Sequence, residues 1–281
     1  MDNGITDQWS DWLELRDAGS NKLIPSQPGL YRIRVVGAEP FAYVGQTGRS
    51  LRGRLGQLKS AFDDCMPYSD PHTAGPGLWA LRQEEGVEFE CSVLVKEGEI
   101  AVRKGLECLE ITRHRLAQGQ SPYLNFGRMP PGWRKSTGNN RRLVEQGCRR
   151  RGCRDLDVQR VPEAPPPATF TQDPLDPQLF GLMWQQFSAA VSPPSIVGVY
   201  RAIAGEDIIY FGQGDVRTRI SAHARKVSTK SRQAGALSQV TRWEYVALPE
   251  LAPQQLLEVE NDLIAHHVQS RGFAPAAQFL G

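Results

Sequence analysis

The chain has 281 residues and a mass of 31.2 kDa, and its 33 basic and 31 acidic side chains give a formal net charge of +2. Hydrophobic residues make up 40% of the sequence and charged residues 23%, which excludes a wholly disordered, collagen-like or coiled-coil protein. No run approaches the roughly 20 consecutive apolar residues of a membrane-spanning helix. Residues 1–4 are polar and unlike a secretory signal. We therefore expect a cytoplasmic protein of one large domain or two small ones.

The five cysteines are an odd number in a chain without an export signal, which favours reduced thiols over a disulfide framework. Only Cys148 and Cys153 are close in sequence. The nearest histidines, His114 and His223, lie far from this pair. A structural zinc site is therefore not expected.

The chain opens with an N-terminal extension, residues 1–27, in which Trp9, Trp12 and Leu13 predict a short helix that packs on the elements that follow. Next come a β-hairpin with a Gly-Ala-Glu-Pro turn, a basic helical segment and a third strand. These predicted elements occupy residues 29–36 and 41–46, 51–55, and 87–95.

A proline-rich segment divides the chain. Six prolines within residues 161–177 are incompatible with regular helix or strand and predict a linker over residues 161–178. The same order of elements then returns: a hairpin with an Ala-Gly-Glu-Asp turn, a basic helical segment and a strand. These elements occupy the residues from 198 to 213, 216–220, and 240–248.

From the third strand onward, the two halves align without gaps at an offset of 153 residues, which places Glu107 over Glu260 and Pro122 over Pro275. The sequence therefore predicts a duplicated module. We expect an α/β (α+β) protein in which each module has a small three-stranded, mainly antiparallel sheet flanked by helices. The predicted modules are residues 28–160, including a basic C-terminal extension, and residues 179–281.

Each half carries an ordered set of residues. In the first half they are Gly29-Leu30-Tyr31, Tyr43-Val44-Gly45, Arg54, Glu107 and Asn125; in the second, Gly198-Val199-Tyr200, Tyr210-Phe211-Gly212, Arg219, His223 and Glu260. Both sets resemble the GIY-YIG nuclease family, and the resemblance covers roughly residues 28–127 and 197–281. It implies hydrolysis of nucleic-acid phosphodiesters with Mg²⁺, for which Mn²⁺ can substitute, and no organic cofactor.

By this resemblance, Glu107 and Glu260 would hold the metal, since a single carboxylate can bind a hard cation that keeps several waters. Helical spacing places Glu260 on an apolar stripe, where a charge needs a partner or a metal. For Glu107 the stripe is less clean, and Glu110 is an alternative ligand. Arg54 and Arg219 would contact phosphate oxygens through paired donors.

The resemblance assigns proton abstraction from the attacking water to Tyr31 and Tyr200, which requires a phenol pKa, ordinarily about 10, that nearby cations have lowered. Tyr43 and Tyr210 would line the sites. Asn125 completes the first set. A tyrosine on a short strand is otherwise most often a core residue.

Three ambiguities concern the catalytic residues. Arg52 and Arg217 compete with Arg54 and Arg219, although the family pattern favours the latter pair. Position 58 is leucine where the family has histidine or tyrosine, so His72 is a candidate imidazole for the first site. An exposed loop histidine without function is the favoured interpretation of His72. The second copy has Gln278 where the family has asparagine.

Residues 128–160 contain ten basic and three acidic side chains, a local balance of +7 that fits tracking of a phosphate backbone. The alternative is a solvated helix face. A second basic stretch follows His223 and extends to Lys230 and Arg232. The candidate nucleic-acid contacts are Arg52, Arg128, Trp133, Arg134, Lys135, Asn140, Arg141, Arg142, Arg217, Arg225 and Lys226.

The sequence thus predicts a Mg²⁺-dependent DNA endonuclease of the restriction or defence type with two active sites, for which a monomer would suffice. One alternative is a structure-specific or single-strand nuclease of repair or recombination. The other is a DNA-binding protein in which one or both modules have lost catalysis.

Overall fold

The computed structural model of the protein describes residues 8–70, 72–187, 194–227 and 231–280. The chain forms two compact units. The first comprises Met1–Gly98 and Pro122–Arg160, and the second comprises Glu99–Ser121 and Val161–Gly281. These units differ from the modules expected from the sequence, because residues 99–121 and the proline-rich segment belong to the second unit. No helix in the described ranges is long and apolar enough to cross a membrane.

The described residues contain ten strands and seven α-helices. The strands are β1 (Leu13–Glu14), β2 (Gly29–Val35), β3 (Phe41–Thr47), β4 (Phe89–Val95), β5 (Trp133–Arg134), β6 (Cys153–Arg154), β7 (Gln185–Phe187), β8 (Val197–Ala204), β9 (Asp207–Asp215) and β10 (Arg242–Ala247). The helices are α1 (Leu51–Gly56), α2 (Gly75–Glu85), α3 (Ile100–Gln118), α4 (Arg141–Glu145), α5 (Val216–Val227), α6 (Arg232–Leu237) and α7 (Pro253–Arg271). Short 3₁₀ turns lie at Gln57–Phe62, Asn125–Gly127 and Leu179–Gly181.

The main sheet of the first unit has the order β1-β4-β2-β3, and its pairings are antiparallel. The antiparallel prediction is confirmed, but the sheet has four strands where three were expected. The extra edge strand is β1, in which Leu13 pairs with Cys91. The predicted N-terminal helix is therefore wrong. Trp12 instead packs on β2, where its ring lies 3.9 Å from the Arg34 guanidinium carbon.

The main sheet of the second unit repeats this topology, with the order β7-β10-β8-β9. A register shift lies between Ile33 and Arg34 in the first hairpin and at the equivalent place, Ala202 and Ile203, in the second. Phe126 and Phe279, 153 residues apart, both have a positive φ, of 59° and 64°. The repeat seen in the sequence is thus a repeat of backbone structure. β7 again adds a fourth strand that was not predicted.

The proline-rich segment contains no helix or strand, as its composition predicts. Its backbone is nonetheless bound by buried side chains of the second unit. Arg201, 1% exposed, donates to the Pro174 carbonyl at 2.7 Å. Arg115 donates to the Ala164 carbonyl at 2.5 Å, and the Ala164 N–H donates to Glu258 at 2.7 Å. The segment is therefore an integral part of this unit.

Helices α3 and α7 pack together within the second unit through buried polar contacts. The Asn261 amide donates to the Cys108 carbonyl at 3.1 Å. Thr112 donates to Asp262 at 2.8 Å, and Arg115 forms an ion pair with Asp262 at 3.0 Å. Because these groups lie away from water, removing one partner would leave a buried charge or donor unsatisfied.

Candidate active sites

In the first unit, β2 and β3 bring Tyr31 and Tyr43 together with ring centroids 6.2 Å apart and an interplanar angle of 25°. The Tyr31 hydroxyl lies 3.0 Å from His72 Nε2. His72 is 2% exposed, so the interpretation of this residue as an exposed loop histidine is wrong. Tyr31 and His72, which the sequence linked only through the pattern of the resembled family, therefore form a direct, buried contact.

The protonation of His72 follows from its second contact. The Ala74 N–H donates to His72 Nδ1 at 3.3 Å. Burial, assisted by the positive charge of Arg54, lowers the pKa of His72 to about 3, so the ring is neutral at pH 7. A neutral imidazole carries one proton, and Nδ1 acts as the acceptor. Nε2–H therefore donates to the Tyr31 oxygen.

The glycine of the second tripeptide makes room for Tyr31. Gly45 pairs with Tyr31 across the hairpin, and a Cβ atom at this position would lie 2.5 Å from the Tyr31 hydroxyl. Asn125 holds the same strand from the other side, since its side chain accepts from the Val44 N–H and donates to the Val44 carbonyl, each at 2.9 Å. Asn125 is thus placed to position β3.

The two candidate arginines of the first site have different partners. Arg52 donates to the Ile24 carbonyl at 2.8 Å, which ties α1 to the N-terminal segment. Arg54 donates to Gln57 at 3.1 Å, and its charge is close enough to His72 to depress the pKa of that imidazole. This placement favours Arg54 as the site arginine.

The second unit builds a similar cluster from Tyr200, Tyr210 and His223. The tyrosine rings are 6.1 Å apart at 29°, and the Tyr200 hydroxyl lies 2.9 Å from His223 Nε2. Burial, with the charges of Arg219 and Lys226, lowers the pKa of His223 to about 4. A Cβ atom at Gly212 would collide with the end of the Tyr200 ring, as at Gly45.

Arg219 and Glu260 complete this cluster. Arg219 is exposed, and its positive charge opposes the burial-driven rise in the pKa of both Tyr200 and Tyr210. Burial raises the pKa of the half-buried Glu260 carboxyl to about 7, and the nearby charge of Arg219 opposes this shift. The negative charge of Glu260, the candidate metal ligand, is thus only partly balanced by the positive charge of Arg219.

Proton abstraction by Tyr200 requires a lowered phenol pKa, and in the protein alone the nearby charge of Arg219 acts in that direction. Burial, followed by the proximity of Tyr210, raises the pKa of Tyr200 well above its ordinary value, and Arg219 offsets this only partly. Burial likewise raises the pKa of Tyr210, with a contribution from Glu260. Both phenols are therefore neutral at pH 7 in the protein alone.

Sequence reasoning missed Trp243 on β10. Its ring stacks on His223 with centroids 5.9 Å apart at 20° and lies 6.0 Å from Tyr200. Trp243 lies two positions before Tyr245 in a strand of alternating pattern, so it faces the same side of the sheet, and this spacing could have identified it from the sequence.

Gln278 accepts a hydrogen bond from the Phe211 N–H at 3.0 Å. It therefore makes one of the backbone contacts that Asn125 makes in the first unit.

Glu107 lies half-buried on α3, which belongs to the second unit. The alternative ligand Glu110 forms an ion pair with Arg113 at 2.9 Å, one helical turn away. Glu107 and Glu260 both contribute to the burial-driven rise in the pKa of the Cys108 thiol.

Several candidate nucleic-acid contacts have structural partners instead. Trp133 is 8% exposed and lies edge-on to Trp79 at 5.2 Å, so its ring packs within the first unit. Arg128 is buried, and burial lowers the pKa of Lys135. Asn140 caps α4 by accepting from the backbone of that helix.

Of the remaining candidates, Arg52 is half-buried and the others are exposed. Arg134 pairs with Asp155, Arg141 pairs with Glu145 at 2.7 Å, and Lys226 donates to Gln233 at 2.9 Å. Also exposed are Arg142, Arg217 and Arg225. Lys230 of the second basic stretch lies outside the described residues.

Within the part of the chain that the structure describes, no group of three or more His, Cys, Asp or Glu side chains is arranged to hold a metal ion. The lone-carboxylate site expected from the sequence does not require such a group. No protein-family model, curated protein or solved structure matches this chain.

Proposed function

We propose that the chain is a metal-dependent DNA endonuclease of the GIY-YIG type with two active sites, one around Tyr31 and one around Tyr200. The observation that carries this proposal is the repeated tyrosine and histidine cluster. The histidine comes from a loop in the first unit and from α5 in the second, yet each Nε2 lies within 3.0 Å of the tyrosine hydroxyl. Two unrelated positions supply the same contact, which points to a shared chemical task.

The residues fit a divalent cation at the second cluster. Glu260 offers carboxylate oxygens, which a hard ion such as Mg²⁺ or Mn²⁺ prefers, and its raised pKa marks a charge that a cation would stabilise. When bound, the ion would supply positive charge for the phosphate and would acidify a water molecule. The protein's own groups would do the rest: Arg219 holds a phosphate oxygen, and His223 orients the hydroxyl of Tyr200.

The test is cleavage of supercoiled plasmid DNA in Mg²⁺ by Glu107→Ala and Glu260→Ala, each made singly. Each substitution should convert a linear product into nicked circles, with a loss of at least about a hundredfold at the altered site. Glu250→Ala is the control and should cut both strands. Glu110→Ala tests the alternative ligand and should also cut both strands if Glu107 is the ligand. A single variant that still makes linear DNA at the wild-type rate would refute the corresponding site.

The raised pKa of Tyr200 supports a second candidate, a DNA-binding protein whose second cluster lacks catalysis. A phenol with such a pKa is a poor base unless a cation acts on it. Binding of DNA without cleavage in either Mg²⁺ or Mn²⁺ would favour this candidate. A structure-specific nuclease would instead prefer flaps, junctions or single strands in a panel of labelled substrates.

A further inference from the structure

Three consecutive arginines, residues 149–151, lie against the loop that leads to His72 in the first unit. The guanidinium carbons of Arg149 and Arg151 are 4.3 and 4.2 Å from the centre of the Tyr68 ring. Arg151 also donates to the Met66 carbonyl at 2.8 Å. Stacking on an aromatic ring orders a guanidinium and leaves its edge donors available to a ligand.

Backbone contacts fix this triplet in place. The Arg150 N–H donates to Thr137 Oγ1 at 2.7 Å, and the Thr137 N–H donates to the Arg150 carbonyl at 3.0 Å. The Ser69 N–H in turn donates to the Thr137 carbonyl at 3.2 Å. The arginines are thus held beside the Tyr68 loop by the backbone, independently of any ligand.

The triplet differs in its charge balance from three other arginines of the same basic segment. Arg134, Arg141 and Arg154 form ion pairs with Asp155, Glu145 and Glu84. Over the described ranges, none of the three arginines at residues 149–151 forms an ion pair with a carboxylate. Three adjacent, ordered and uncompensated cations on the surface fit a polyanionic ligand.

A cavity lies between the arginine triplet and His72 of the Tyr31 cluster. A cavity of about 280 Å³ is lined by Tyr68, Arg151, His72 and Gln57, together with Asp63 and Asp70. Gln57 also lines the neighbouring cleft that contains Arg54. Two cavities that share Gln57 in their linings therefore contain Arg54 on one side and His72 with Arg151 on the other. The two aspartates disfavour a phosphate deep in the cavity and favour one at the rim that the arginines form.

We propose that Arg149 and Arg151, stacked on Tyr68, form together with Arg150 a phosphate-binding strip that holds the DNA strand entering the Tyr31 cluster. This inference rests on the proposed function, since it assigns the strip to the substrate of the first site. The strip serves the first cluster alone, because the second unit supplies its own exposed arginines.

The binding test uses the full chain with Glu107→Gln and Glu260→Gln, which leaves the DNA uncut, and a fluorescein-labelled DNA duplex over a range of salt concentrations. Arg149→Ala with Arg151→Ala should weaken binding at least about tenfold and reduce the salt slope by about two, one per phosphate contact. The control pair Arg16→Ala with Arg113→Ala removes the same charge from ion-paired positions outside the basic segment and should change binding less than about threefold.

A second pair of variants leaves the charge unchanged. Tyr68→Leu should weaken binding because the two guanidinium groups lose their stacking surface, whereas Tyr68→Phe should bind like the parent. Equal losses of DNA affinity for the two arginine pairs, or no loss for Arg149→Ala with Arg151→Ala, would contradict the proposed role of the strip. A loss seen with an RNA oligonucleotide but not with DNA would overturn the assignment of DNA as the partner.

A plasmid-nicking assay distinguishes a failure of the strip from a failure of the proposed function. In Glu260→Ala, where only the first site remains, the strip substitutions should slow nicking at least about tenfold at moderate salt. In Glu107→Ala they should have no effect. If the wild-type chain cuts no DNA but the binding difference persists, the proposed function fails and the strip stands. If cutting is normal and neither binding nor nicking changes, the strip alone fails.

Discussion

The two site histidines are buried neutral bases, and this determines what they can do. His72 is 2% exposed and His223 is 5% exposed, and burial lowers their pKa values to about 3 and about 4. Neither ring carries a charge near neutral pH. Each is therefore suited to orienting a tyrosine hydroxyl by a hydrogen bond, and neither is suited to attracting phosphate.

His72 should make the protein sensitive to acid. The unfolded chain protonates this imidazole near its ordinary pKa of 6.5, whereas the folded chain does so only at about 3. Its contribution to stability is therefore present above pH 6.5 and is lost as the pH falls towards 3, at up to about 1.4 kcal/mol per pH unit. His72→Gln removes this titration and keeps a neutral side chain.

Urea unfolding of the wild type and His72→Gln at a series of pH values from 8 to 4 measures the effect. The free energies of unfolding should diverge at high pH, where the native imidazole contacts favour the wild type, and converge on acidification. Two curves that stay parallel over the whole range would show that His72 titrates equally in the folded and unfolded chains.

At the scale of elements, the sequence predicted the paired strands well because β-branched and aromatic residues, turn sequences and the repeat all agree. It did not predict β1 and β7, since two or three residues carry no periodicity. Trp12 and Leu13 illustrate the cause: their partners Arg34 and Cys91 lie far along the chain, and contacts of this kind favour an extended backbone over the expected helix.

The residues of the candidate sites also fall into two groups, those that the sequence identified and those whose roles depend on distant contacts. Tyr31, Tyr43 and Arg54 lie on elements with clear patterns, and the sequence identified them in order. The burial of His72 could not be read from a loop of Asp, Pro and Thr residues, because it depends on the packing of that loop over Tyr31. The role of Asn125 in holding Val44 is likewise set by a contact across 81 positions.

The close approach of Gly212 to Tyr200 gives a prediction about the hairpin. Gly212→Ala should destabilise the protein by about 1–3 kcal/mol, because the new methyl group must displace the tyrosine from a packed core. The second site should lose activity with it. Gly235→Ala is the control, since this helical glycine faces open space and alanine there should stabilise by about 0.5–1 kcal/mol.

Thermal unfolding and plasmid nicking in the Glu107→Ala background provide the two measurements. If Gly212→Ala is as stable as the parent and still nicks DNA, the ring can move without cost. The tyrosine would then not be held in the position on which the second site depends.

For the whole molecule, the presence of both clusters in one chain predicts how two strands are cut. A chain with two working sites can make its second nick while it remains bound, because the second site is already at a high effective concentration. Wild-type protein should therefore produce linear DNA with little accumulation of nicked circles. This expectation rests on the proposed function and on a monomer being sufficient.

Mixing the two single-site variants tests this directly. An equal mixture of Glu107→Ala and Glu260→Ala contains one working site of each kind, but never both in the same chain. It should first accumulate nicked circles and form linear DNA only after a second, independent encounter. Wild-type protein diluted to the same concentration of each site is the control. If the mixture yields linear DNA as fast as this control, chains act in pairs and the duplication within one chain is not what couples the two cuts.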